Sequence, residues 1–92
     1  MGDVRHFKPV SERKIRLFIK PWCGWCDQAV DWLEQRGIPF QVLDVMSEPR
    51  ARQEMHELSG QTLAPVIEVD GKVLADFDTR QLEEFWRQFE AA

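Results

Sequence analysis

Cysteine is scarce in this 92-residue chain: Cys23 and Cys26 are the only two. A disulfide-stapled secreted miniprotein needs more of them, and its bridges usually close longer loops, so that class is excluded. Long apolar runs are missing too, and no stretch is long enough to span a bilayer. Met1 to Arg13 lacks the unbroken apolar segment of a secretory signal, and Gly2 is not followed by Ser or Thr at the spacing of a myristoylation signal. The expected location is therefore the cytoplasm. Net charge is −4 with basic residues scattered among acids, which leaves no electrostatic footprint for a phosphate backbone. Neither nucleic acid nor a membrane is an expected partner, and no internal repeat or linker divides the chain.

What is present suits one small domain. Hydrophobic residues make up 43% and charged residues 30%. A chain of this length buries about 60–65% of its unfolded surface, enough for a core without metal or disulfide. "KIRLFI" (14–19) alternates and stops at Pro21, which reads as a strand entering a loop. From Cys23 to Arg36 the period becomes helical: Cys26, Ala29, Val30 and Leu33 fall on one stripe, and Gly37 ends it. "FQVLDV" (40–45) reads as a second strand with Phe40 and Val42 inward and Val45 a further inward candidate. Ser47 or Glu48, ahead of Pro49, starts a helix that runs to Gly60 with Ala51, Met55 and Leu58 apolar. "PVIEV" (65–69) and "KVLAD" (72–76) flank Asp70-Gly71, the strongest hairpin signal in the chain. Thr79 is read as the N-cap of a closing helix carrying Leu82, Phe85, Trp86 and Phe89.

The order β-α-β-α-β-β-α predicts an α/β fold: one mixed four-stranded sheet flanked by three helices, with a right-handed crossover joining the parallel pair. Residues 1–12 fall outside this plan, as an N-terminal arm or a short helix, and residues 13–92 form the domain. Burial of Phe7 could pin one end of the arm.

The chemistry concentrates in "KPWCGWC", residues 20–26. Thiol–disulfide exchange needs an exposed thiolate to attack and a second thiol close enough to displace the mixed disulfide. Cys23 at the start of a helix meets unpaired backbone N–H groups and a dipole that favour negative charge, while Cys26 falls one turn deeper on the buried stripe. Cys23 is thus the expected nucleophile and Cys26 the resolving thiol. A helix terminus contributes about 0.3–1 kcal/mol, so a second contributor is expected, and the cation of Lys20 is the nearest in sequence.

Blander readings stand beside this one. Two inert buried cysteines would behave as small hydrophobes, but Cys23 follows Pro21 at a helix mouth. A structural zinc needs four ligands, with only His6 and His56 to complete the set, so no metal is expected. Pro65 can be a plain strand-start proline. Trp22 and Trp25 lie off the stripe through Cys26, where they either form an apolar rim for a substrate or cap the sheet edge.

These residues resemble a glutaredoxin of the thioredoxin-fold superfamily, from about Lys14 to Phe89. Lys20 to Cys26 is similar to the family's K-x-x-C-x-x-C active site, and Ser59 to Lys72 to the stretch that holds its cis-proline, here Pro65. The resemblance implies that Cys23 attacks, that Cys26 resolves, and that Lys20 and Pro65 support the thiolate. It also implies a glutathione site: Lys20 and Gln61 toward the glycine carboxylate, Ala64 beside Pro65 pairing with the cysteinyl backbone, and Phe77 with Asp78 at the γ-glutamyl end. The chain departs from the family in having Leu63-Ala64-Pro65 for Thr-Val-Pro and Ala75-Asp76 for a Gly-Gly pair. The aspartate adds bulk and negative charge near an anionic ligand.

The leading expectation is a monomeric thiol–disulfide oxidoreductase with glutathione as co-substrate, acting on protein disulfides or glutathione mixed disulfides. The alternatives are a same-fold redoxin reduced by a thioredoxin-type reductase, and a dimer holding a [2Fe–2S] cluster through Cys23 and two glutathiones, with Gly24 leaving room. A non-catalytic module using the Trp22/Trp25 rim is the remaining reading.

Overall fold

The structure is a computed structural model that describes residues 12–90. The proposed arm, apart from Glu12, lies outside the described residues, as do Phe7 and His6. Seven elements follow in the expected order: β1 (Ile15–Ile19), α1 (Gly24–Gln35), β2 (Gln41–Asp44), α2 (Pro49–Ser59), β3 (Val66–Val69), β4 (Lys72–Ala75) and α3 (Thr79–Glu90). The sheet order is β2-β1-β3-β4, with β1 and β2 parallel and the β1/β3 and β3/β4 pairs antiparallel. This is the mixed four-stranded sheet that the sequence predicts.

Strand alternation divides the core into two. Ile15 and Leu17 of β1, with Ile67 and Val69 of β3, pack against Ala29, Trp32 and Leu33 of α1 and Leu82, Trp86 and Phe89 of α3. Phe18 and Val66 point the other way, onto Ala51 and Met55 of α2 and onto Val45. Side chains on a strand alternate faces with period two, so one register serves both layers. Arg16 shares the α2 face, where its guanidinium lies 2.6 Å from Glu68 Oε1 and 3.1 Å from Glu54 Oε1.

The turns follow their residues. Asp70 and Gly71 hold φ of 51° and 90° between Val69 and Lys72, the two positive values that a type I′ hairpin requires. Gly37, at φ 66°, ends α1: its N–H donates to Glu34 O and that of Ile38 to Leu33 O, the paired bonds of a Schellman close.

Three local expectations are corrected. Val42 is 44% exposed instead of inward, because β2 is an edge strand and no element among the described residues covers it. The buried arc of α1 includes Trp32 and leaves Val30 half-buried, since α1 packs against α3 as well as the sheet and Trp32 meets Trp86 edge-on at 6.0 Å. The N-cap of α3 is Asp78 in place of Thr79: Asp78 Oδ1 accepts the Gln81 N–H at 2.8 Å while Gln81 Oε1 accepts the Asp78 N–H at 2.9 Å. That reciprocal pair is a capping box, and the glutamine three residues on selects the aspartate over the threonine.

Candidate active site

β1 delivers the chain to a turn at Pro21 and Trp22, from which α1 departs. Trp22 holds φ 54° and is 98% exposed. A bulky residue seldom adopts this left-handed backbone. Here it turns the chain so that the next residue, Cys23, enters α1 as its N-cap with φ −109° and ψ 109°. Cys23 Sγ accepts the Cys26 backbone N–H at 3.2 Å, and the Cys23 carbonyl accepts from Asp27 at 3.0 Å. The attacking sulfur candidate therefore occupies the place of a capping side-chain oxygen, aimed at helix donors that lack a partner within the helix.

Cys26 is 1% exposed and Cys23 half-buried, and both are free thiols. Burial pushes the Cys26 thiol up to about 12, and the hydrogen bond and charge of Cys23 add to the rise, as does the charge of Asp27. A backbone hydrogen bond with Lys20 acts in the opposite direction. Lys20 thus reaches the cysteine pair through its main chain, while its ammonium makes no ion pair among the described residues. The two sulfurs are unequal, as exchange requires: one accessible at a helix mouth, one buried and held as a thiol.

The second segment is the loop into β3. The Ala64–Pro65 peptide is cis, Pro65 is buried, and its carbonyl accepts the Asp76 N–H at 2.8 Å, which ties the start of β3 to the end of β4. Gln61 folds back on its own loop: its side-chain amide donates to Leu63 O at 3.0 Å and its carbonyl accepts the Leu63 N–H. Ser59 Oγ sits 2.6 Å from Met55 O and accepts the Gln61 N–H at 3.3 Å. Leu63 is exposed beside the half-buried Ala64.

The third segment follows β4. A cavity of about 180 Å³ is lined by Trp25, Asp76, Phe77, Asp78 and Gln81. Phe77 is 3% exposed and its ring belongs to the main core. Asp76 stands exposed at φ 52°, a backbone for which glycine is the usual residue. Trp25 is 53% exposed, so Trp22 and Trp25 both face outward instead of sealing the sheet edge. Sequence reasoning missed Gln81, although an Asp-x-x-Gln spacing just before an apolar run announces a capping box. Among the described residues no group of three or more His, Cys, Asp or Glu could hold a metal ion.

The model of the glutaredoxin family matches residues 15–74, which takes in both cysteines and Pro65. The chain belongs to the glutaredoxin family. A glutaredoxin-like 8.6 kDa protein of the rubredoxin operon of Clostridium pasteurianum is 30% identical over 69 residues, 75% of this chain and 92% of that one. Glutaredoxin 3 of Escherichia coli K12 is 30% identical over 64 residues, covering 70% of this chain and 77% of the relative. Among solved structures, the glutaredoxin of Archaeoglobus fulgidus superposes with a TM-score of 0.72 at 18% identity, over 83% of this chain and 88% of that one. The glutaredoxin-like NrdH-redoxin of Escherichia coli gives 0.65 at 21% identity, over 77% and 92%. These two structures share the fold. Family membership makes the chain a thiol–disulfide oxidoreductase, and the family match ends before Asp76 and the capping box of α3.

Proposed function

We propose that this chain is a dithiol reductase of protein disulfides and glutathione mixed disulfides. Cys23 as thiolate attacks one sulfur of a substrate disulfide, forming a Cys23–substrate disulfide and releasing the other half as a thiol. Cys26 then loses its proton, attacks the Cys23 sulfur and releases the second thiol. The substrate gains two electrons and the protein becomes the Cys23–Cys26 disulfide. The observation that carries this reading is the asymmetric pair, with Cys23 Sγ capping α1 and Cys26 buried beneath it.

The same asymmetry orders the steps. The charge and hydrogen bond of Cys23 help hold the proton on Cys26, and both are altered once Cys23 is bonded to substrate. Cys26 therefore becomes easier to deprotonate when its nucleophile is needed. Glutathione is the proposed co-substrate that restores the dithiol, Lys20 and Ala64 its proposed nearest contacts, and a monomer in the cytoplasm the proposed setting. No helix among the described residues is long and apolar enough to cross a membrane.

A second reading, in which a thioredoxin-type reductase supplies the electrons, is favoured by the closed capping box at Asp78 and Gln81. That box engages the Asp78 N–H, a donor that an incoming carboxylate would otherwise meet. The test is turnover of a disulfide substrate with glutathione and glutathione reductase, set against turnover with thioredoxin reductase alone. Activity only in the first supports glutathione as donor, and activity only in the second supports the reductase. Activity in neither, with the protein folded and reduced, contradicts the proposal.

A further inference from the structure

We infer that Asp76 is a specificity-determining residue that selects substrates carrying a positive charge beside the disulfide. This rests on the reading of Cys23 as the nucleophile. Asp76 belongs to the site's own wall: its N–H is bonded to Pro65 O at 2.8 Å, and it lines the same cavity as Trp25, two residues beyond Cys23.

The cavity offers acceptors and an aromatic face. The Asp76 carboxylate has no hydrogen bond or ion pair among the described residues. Two backbone donors at the start of α3 are already engaged, since Gln81 Oε1 takes the Asp78 N–H and Asp78 Oδ1 takes the Gln81 N–H. The charged groups of the lining are the free carboxylate of Asp76 and a second carboxylate at Asp78, beside the half-exposed indole of Trp25. An ammonium or guanidinium finds charge and a cation–π surface there, whereas a carboxylate meets like charge. The left-handed backbone at Asp76, φ 52°, is one that glycine adopts most readily, and the aspartate there brings a charge to the cavity. Substrate selection by charge then follows from one side chain.

The test uses two peptides, each with a central cysteine flanked on both sides by lysine in one and by glutamate in the other. Each is supplied as its mixed disulfide with 5-thio-2-nitrobenzoate. Attack by Cys23 on the peptide sulfur forms the Cys23–peptide disulfide and releases the coloured thiolate, which is followed by stopped flow with the reduced full chain. The lysine peptide should react about tenfold faster at low ionic strength, with the ratio shrinking as salt is added. Asp76→Asn, which keeps the shape, should cut the ratio to about threefold. Glu57→Gln removes the same charge from α2, away from the site, and should leave the ratio unchanged. A wild-type ratio near one, an unaltered ratio in Asp76→Asn, or an equal drop in Glu57→Gln overturns the inference. Failure of both peptides to release the thiolate would instead overturn Cys23 as nucleophile.

Discussion

Cys23 Sγ accepts the backbone N–H of Cys26 at 3.2 Å, so the half-buried sulfur caps the helix that fully buries its partner. One short segment thereby assigns opposite roles to two identical side chains. The first consequence concerns Cys26. Its thiol is raised to about 12 chiefly by burial and then by Cys23. In a Cys23→Ala variant the second contribution vanishes and the first stays. The Cys26 thiol should then titrate below about 12 but above 9.0, the ordinary value of a cysteine thiol. Thiolate absorbance against pH checks this, and an unchanged titration would show that Cys23 has no hold on its partner.

Stability should carry the same signature. Cys26 holds its proton more tightly folded than unfolded, so its contribution is intact below 9.0 and is lost as pH rises toward about 12. The slope is at most about 1.4 kcal/mol per pH unit for one proton. Urea unfolding of the reduced protein should therefore show a decline across this window that Cys26→Ala lacks. Parallel curves for the two proteins would count against a buried neutral thiol.

Arg16 tests the other face of the sheet. It bridges Glu54 and Glu68 and lies 5.3 Å from the Phe18 ring centroid. Arg16→Ala leaves the largely buried Glu68 without its cation and should cost about 1–3 kcal/mol. Adding Glu68→Gln should recover part of that loss in urea midpoints. No recovery would mean that packing against Phe18, and not charge, carries the effect.

The tryptophans separate scaffold from surface. Trp32→Ala removes a buried ring that meets Trp86 edge-on at 6.0 Å and should destabilise by about 3–5 kcal/mol. Trp22→Ala removes a ring that is 98% exposed and should change stability by no more than about 0.5 kcal/mol. Thermal unfolding of the two variants checks the contrast, which a large loss for Trp22→Ala would break.

Much of this was legible in the sequence where the signal is local. The C-x-x-C spacing, the Asp70-Gly71 turn and the strand alternation each act over a few residues, and the structure places them as read. The misses depend on neighbours that no local pattern names. Val42 has the residue type of an inward strand position, but burial depends on strand order, and β2 falls at the edge. Trp32 lies outside a stripe counted for one packing partner, yet α1 has two. Thr79 and Asp78 are both good caps, and Gln81 decided between them.

The most direct test of the division of labour is alkylation of the reduced protein by a limiting amount of iodoacetamide at neutral pH, with peptides read by mass spectrometry. The account predicts modification at Cys23, with Cys26 unmodified until the protein is unfolded. Equal labelling of both thiols, or preferential labelling of Cys26, would contradict it.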